Sequence, residues 1–86
     1  MKHAGTTALD ALEDLLVAIR QVAGLKEKTR GVFYRRSVAF LHFHEDPAGL
    51  FADLRVGTTF ERFPVNSAAE RRRFLARVRA EMAREP

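Results

Sequence analysis

Apolar residues near the start of the chain recur at spacings of three and four: Leu9, Leu12, Leu15, Leu16, Ile19, Val22 and Ala23. That period puts them on one stripe of an amphipathic helix and predicts an element from about Thr7 to Ala23. Thr7 is the expected N-cap, with Asp10, Glu13 and Asp14 where the helix dipole favours acids, and Gly24 as the left-handed stop. Leu25 to Arg30 reads as a basic connector.

From Gly31 to Val65 the period changes to two. β-branched and aromatic residues alternate with polar ones and are interrupted by turn chemistry at Arg36-Ser37, Asp46-Pro47-Ala48-Gly49 and Gly57-Thr58. Three or four strands are expected, the fourth split off near Phe33. A hairpin closed by the loop Asp46 to Gly49 pairs Glu45 with Leu50, His44 with Phe51, Phe43 with Ala52, His42 with Asp53, Leu41 with Leu54 and Phe40 with Arg55. In that register Ala39, Leu41, Phe43, Ala52, Leu54 and Val56 share the face that the helices should cover. Phe40, His42, His44, Phe51, Asp53 and Arg55 share the other. The strand Thr59 to Val65 has an open register, because one residue of loop length swaps Phe60 and Phe63 between faces. Pro64 predicts that it ends there or lies at an edge.

Ser67-Ala68-Ala69-Glu70 is a capping-box sequence. It opens a second helix with Phe74, Leu75, Val78 and Met82 on one stripe, running to about Ala83. The expected fold is therefore α+β, an α-β-β-β(-β)-α order with a three- to four-stranded antiparallel sheet and two flanking helices. With 86 residues there is room for one domain, spanning 1–86, and no repeat or Gly/Ser linker divides it.

Composition narrows the class. The chain is 47% hydrophobic and 30% charged, the balance of a globular domain. It has no Cys, which excludes disulfides, thiolate metal sites and a cysteine nucleophile, and suits a reducing cytoplasm. The apolar stretches are broken by charge within a few residues, so neither a membrane span nor an export signal is expected.

The candidate chemistry gathers on the outer sheet face. In His42-Phe43-His44-Glu45-Asp46 two His at i and i+2 project to one side of a strand and offer imidazoles to a divalent metal such as Zn, Cu, Ni or Fe. Asp53, opposite His42, is the expected third ligand, with Glu61 the choice in one register of the next strand. Two His on a half-exposed sheet are more often packed or solvated polar residues. Phe40 and Phe51 beside Arg55 and Asp53 make the same face unusually aromatic, and its ordinary cover is a second copy of the chain, so a homodimer is the expected partner. Aromatic walls around His42, His44, Asp53 and Arg55 also suit a small-ligand cleft. His42 held by Asp53 resembles a tuned base, but no nucleophile or oxyanion device accompanies it. Binding or self-association is expected, without catalytic residues.

The net charge of +4 comes from twelve Arg and three Lys against eleven acids. Arg71, Arg72, Arg73, Arg77, Arg79 and Arg84 make the second helix basic, and with Lys26, Lys28, Arg30, Arg35 and Arg36 they offer a surface to nucleic-acid phosphates. Interleaved Glu70, Glu81 and Glu85 give the pattern of an ordinary solvated helix, and no sequence-reading motif is present, so nucleic acid is the less favoured partner.

The runs Gly31-Val32-Phe33-Tyr34-Arg35-Arg36, Phe40-Leu41-His42-Phe43-His44-Glu45-Asp46, Leu50-Phe51-Ala52-Asp53-Leu54-Arg55 and Phe60-Glu61-Arg62-Phe63-Pro64-Val65 resemble small uncharacterised bacterial α/β proteins. Distantly, they are similar to the MmcQ/YjbR-like family. That resemblance covers about Leu9 to Met82, rests on element order and a few apolar positions, and carries no site residue over. It implies a helix, an antiparallel sheet and C-terminal helices, and adds slightly to the nucleic-acid reading.

Overall fold

The computed structural model describes residues 2–84. Its elements run β1 (Lys2–His3), α1 (Thr6–Ala11), α2 (Glu13–Arg20), β2 (Lys26–Thr29), β3 (Val32–Arg35), β4 (Val38–Asp46), β5 (Gly49–Val56), β6 (Thr59–Pro64) and α3 (Ala68–Ala83). The α+β antiparallel class is the expected one, with six strands in place of three or four and the first helix in two pieces.

The sheet follows the order β2-β3-β4-β5-β6, and β1 pairs with β4 outside that path. One edge of β4 is thus shared, by β3 near its start and by β1 near its end: Phe33 pairs with Leu41, and His3 with His44. The β4–β5 hairpin has the expected register from Leu41 with Leu54 to Glu45 with Leu50, and it continues to Asp46 with Gly49. The open register of β6 resolves with Phe63 opposite Ala52 and Phe60 opposite Arg55, so Phe63 joins the core and Phe60 the outer face.

Two local expectations change. The connector Leu25 to Arg30 contains a strand: β2 pairs Lys26 with Tyr34 and Glu27 with Phe33. Its Lys-Glu-Lys-Thr sequence has no apolar alternation, and this is how an edge strand is kept from pairing further. The first helix begins at Thr6 with Gly5 as N-cap and no side-chain cap, so Thr7 lies inside it. It bends at Leu12 and ends at Arg20, before Gly24.

Phe40 is the larger correction. Tyr34 pairs with Ala39 and Phe33 with Leu41, so Phe40 is an extra residue in β4 between two paired positions. A bulge of this kind turns two successive side chains to one face. Phe40, expected on the outer face opposite Arg55, is 4% exposed and belongs to the core with Phe33 and Leu41. Ala39, expected inward, pairs with Tyr34 on the opposite side.

All three helices cover one face. The core joins Leu9, Leu12, Leu15, Leu16 and Ile19 of the first helical pair with Leu41, Phe43, Ala52 and Leu54 of the sheet and Phe74 and Val78 of α3. The capping box forms as expected: the Glu70 N–H donates to Ser67 Oγ, and Glu70 Oε1 accepts the Ser67 N–H. Among the described residues no helix is long and apolar enough to cross a membrane. No helix among the described residues covers the outer face of the sheet.

Candidate metal centre on the open sheet face

Alternation along β4 and β5 sends His42, His44, Asp53 and Arg55 to the open face, as the sequence predicts, and β6 adds Phe60 and Arg62 opposite Arg55 and Asp53. His3 joins them from outside the predicted set. It arrives through β1, whose pairing puts it beside His44, while Ala4 N–H donates to Phe43 O at 3.0 Å and Gly5 N–H to Glu45 Oε2 at 2.6 Å. A two-residue strand has no periodicity to read, so no sequence signal marks His3 as a neighbour of His44.

The three imidazoles form one cluster. Ring nitrogens of His3, His42 and His44 lie within 4.8 Å of one another. His42 Nδ1 and His44 Nε2 are 2.9 Å apart. The centroid of the His44 ring is 4.9 Å from that of His3 and 4.8 Å from that of His42. Phe60 closes one side with its ring 4.9 Å from His42, and the Arg55 guanidinium lies 4.6 Å over the Phe60 ring.

Asp53 is buried beneath this cluster and doubly held. Arg62 donates from Nε to Oδ1 at 2.7 Å and from Nη2 to Oδ2 at 2.8 Å, while His44 Nε2 lies 3.1 Å from Oδ2. The carboxylate stands opposite His42 in register, yet its imidazole contact is His44. Burial works to raise the Asp53 pKa, but the Arg62 hydrogen bonds and charge, with the two imidazoles, outweigh it and hold the carboxyl below its ordinary 3.8. His42 is held below the ordinary imidazole value of 6.5, first by burial and then by the neighbouring His44. A neutral His42 keeps its lone pair for a ligand.

His44 is the informative ring. When Nε2–H is donated to Asp53, Nδ1 is left with a lone pair, and Nδ1 is buried without a hydrogen-bond partner among the described residues. A buried polar atom without a partner costs roughly 1–3 kcal/mol. Nε2, the nitrogen on Asp53, is also the one 2.9 Å from His42 Nδ1, so it faces both the carboxylate and the cluster.

Phe51 pairs with His44 across the β4–β5 hairpin and is half-buried. The basic candidates are dispersed. Arg71 donates to Val65 O, Arg77 lies 3.6 Å from Glu61 and 3.8 Å from Glu81, and Arg72 and Arg73 are exposed on α3. Arg30 of the basic connector is bound by Asp10 and Glu13, both at 2.8 Å. Comparison with protein-family models, with curated proteins and with solved structures finds no match for this chain.

Proposed function

We propose that this chain binds a divalent transition-metal ion through His3, His42 and His44 on its open sheet face. The observation that carries the reading is that ring nitrogens of three imidazoles lie within 4.8 Å of one another, with a buried carboxylate 3.1 Å from His44 Nε2. Three neutral nitrogens suit Zn, Ni or Cu better than Mg or Ca, which prefer oxygen. Two nitrogens at about 2.1 Å from one ion are at most about 4.2 Å apart. The separation, up to 4.8 Å, therefore has to narrow when an ion binds. Asp53 adds negative charge beside the ion, tempered by Arg62, and acts by orienting His44.

Calorimetric titration of the tag-free chain with ZnCl2 and NiCl2 at neutral pH tests this. One saturable site per chain is expected, lost in a His42→Ala/His44→Ala variant. No saturable heat, and no movement of the imidazole nitrogen resonances, would overturn it.

A second reading is self-association through the same face. It rests on Phe60, which is 38% exposed at the edge of the histidine cluster. Light scattering should then give twice the chain mass for the parent and the single mass for Phe60→Glu.

A further inference from the structure

A second concavity lies at one end of the sheet, where the β3–β4 turn, the β5–β6 turn and the end of α3 meet. Its volume is about 270 Å³, and it is lined by Arg35, Arg36, Val38, Phe40, Arg55, Gly57, Glu81 and Arg84. We propose that it binds a small organic oxyanion, a phosphate or carboxylate carried on an apolar body. This is independent of the metal centre.

The charge balance is the first argument. Among the described residues that line it, four arginines accompany one carboxylate, a surplus of three positive charges. That carboxylate is already neutralised, because Glu81 is buried with Arg84 Nη1 at 3.0 Å and Arg77 Nε at 3.8 Å. Arg35, Arg36 and Arg55 have no carboxylate partner among the described residues. Clustered arginines repel one another, and an oxyanion is the ligand that relieves this.

The second argument is preorganisation. Arg55 is fixed by donating Nε–H to Ala39 O at 2.7 Å and by lying over Phe60, so its two terminal amino groups remain to be shared with a ligand. Arg35 is fixed over Phe40 and reaches the carbonyls of Glu81, Met82 and Arg84 at the end of α3 at 3.4–3.5 Å, cancelling the negative end of that helix. Arg36 is exposed on the turn, with no hydrogen bond or ion pair to a described residue.

The apolar half of the ligand follows from the bulge. It turns Phe40 inward, and with Val38 this ring gives the cavity an apolar wall between the cations. The volume is near the lower limit for small-molecule pockets, which points to a compact ligand and away from a nucleic-acid strand.

NMR titration of the 15N-labelled chain, in EDTA so that no metal contributes, tests the proposal with phenyl phosphate, benzoate and inorganic phosphate as probes. Saturable shifts confined to Arg35, Arg36, Val38 and Gly57 are expected with phenyl phosphate or benzoate, and the stronger of the two identifies phosphate or carboxylate as the head group. Arg36→Asn should keep the fold, because Asn tolerates the Arg36 φ of 53°. It should weaken binding about tenfold, as Arg55→Gln should. Equal affinity for inorganic phosphate would overturn the apolar half of the proposal. Shifts that do not saturate, or that persist unchanged in both variants, would overturn the whole.

Discussion

His3 and His44 stand directly opposite each other across the β1–β4 pairing, with ring centroids 4.9 Å apart. This places an exposed residue of a two-residue strand against a buried residue of the longest strand, so the two should respond differently to substitution. His3→Ala removes a proposed ligand without a core contact. Metal affinity should fall more than tenfold, while stability changes by less than about 0.5 kcal/mol, the usual range for surface positions. Zn²⁺ should also slow exchange of the Ala4 amide, which holds β1 to Phe43 O. An unchanged exchange rate at saturating Zn²⁺ would mean that His3 is not a ligand.

Acidification should weaken the fold in two separate steps. His42 is held below 6.5 by burial and by His44, so the folded state resists taking up the proton. Its contribution is intact above that value and declines as pH falls through it. Glu27 is held below its ordinary 4.5 by the Arg20 hydrogen bonds, against the effect of burial and with help from the Gly31 N–H. Its contribution is intact above 4.5 and is lost as pH falls through the lowered value. Urea midpoints measured from pH 8 to pH 3 should therefore decline first near pH 6 and again below about pH 4.5. His42→Ala should flatten only the first decline, and Glu27→Gln should reduce only the second, part of which remains with Asp53 and the other carboxyls held below their ordinary values.

The long elements were legible because burial acts along their whole length. Leu9 to Ile19 and Phe74 to Met82 repeat with the helix period, and Leu41 to Glu45 against Leu50 to Leu54 alternates cleanly enough to fix the register. What was not legible depended on a single residue or on charge. β2 hides in Lys26-Glu27-Lys28-Thr29, where edge position and an ion pair to Arg20 replace hydrophobic alternation. The bulge at Phe40 leaves no sequence mark, because Val38 to Phe43 reads as one uninterrupted strand. His42, His44 and Asp53 were visible as face-sharing residues, whereas His3 and Arg62 reach the cluster from strands whose pairing the pattern left unspecified.

Phe40 and Phe60 test the bulge directly. In an unbroken register both would lie on the outer face and tolerate truncation alike. With Phe40 in the core, Phe40→Ala should cost about 3–5 kcal/mol in urea unfolding, a large share of the stability of a domain this size. Phe60→Ala, at 38% exposure, should cost under about 1.5 kcal/mol, since only part of its apolar area leaves water on folding. Equal costs would be incompatible with Phe40 as the inserted, inward-facing residue.

Gly31 joins β2 to β3 in the left-handed region, with φ of 83°. A Cβ there would lie 2.7 Å from Leu9 Cδ2, so Gly31→Ala meets both an unfavourable backbone conformation and a core side chain. Destabilisation of more than about 1 kcal/mol is expected. The two causes separate in a double-mutant cycle with Leu9→Ala, which removes the obstructing methyl but not the positive φ. A positive coupling, with the double variant more stable than the sum of the two single losses implies, would assign the excess to the Leu9 contact. Strict additivity would assign the whole cost to the backbone, and would mean that α1 yields to the new methyl by shifting away from the β2–β3 turn.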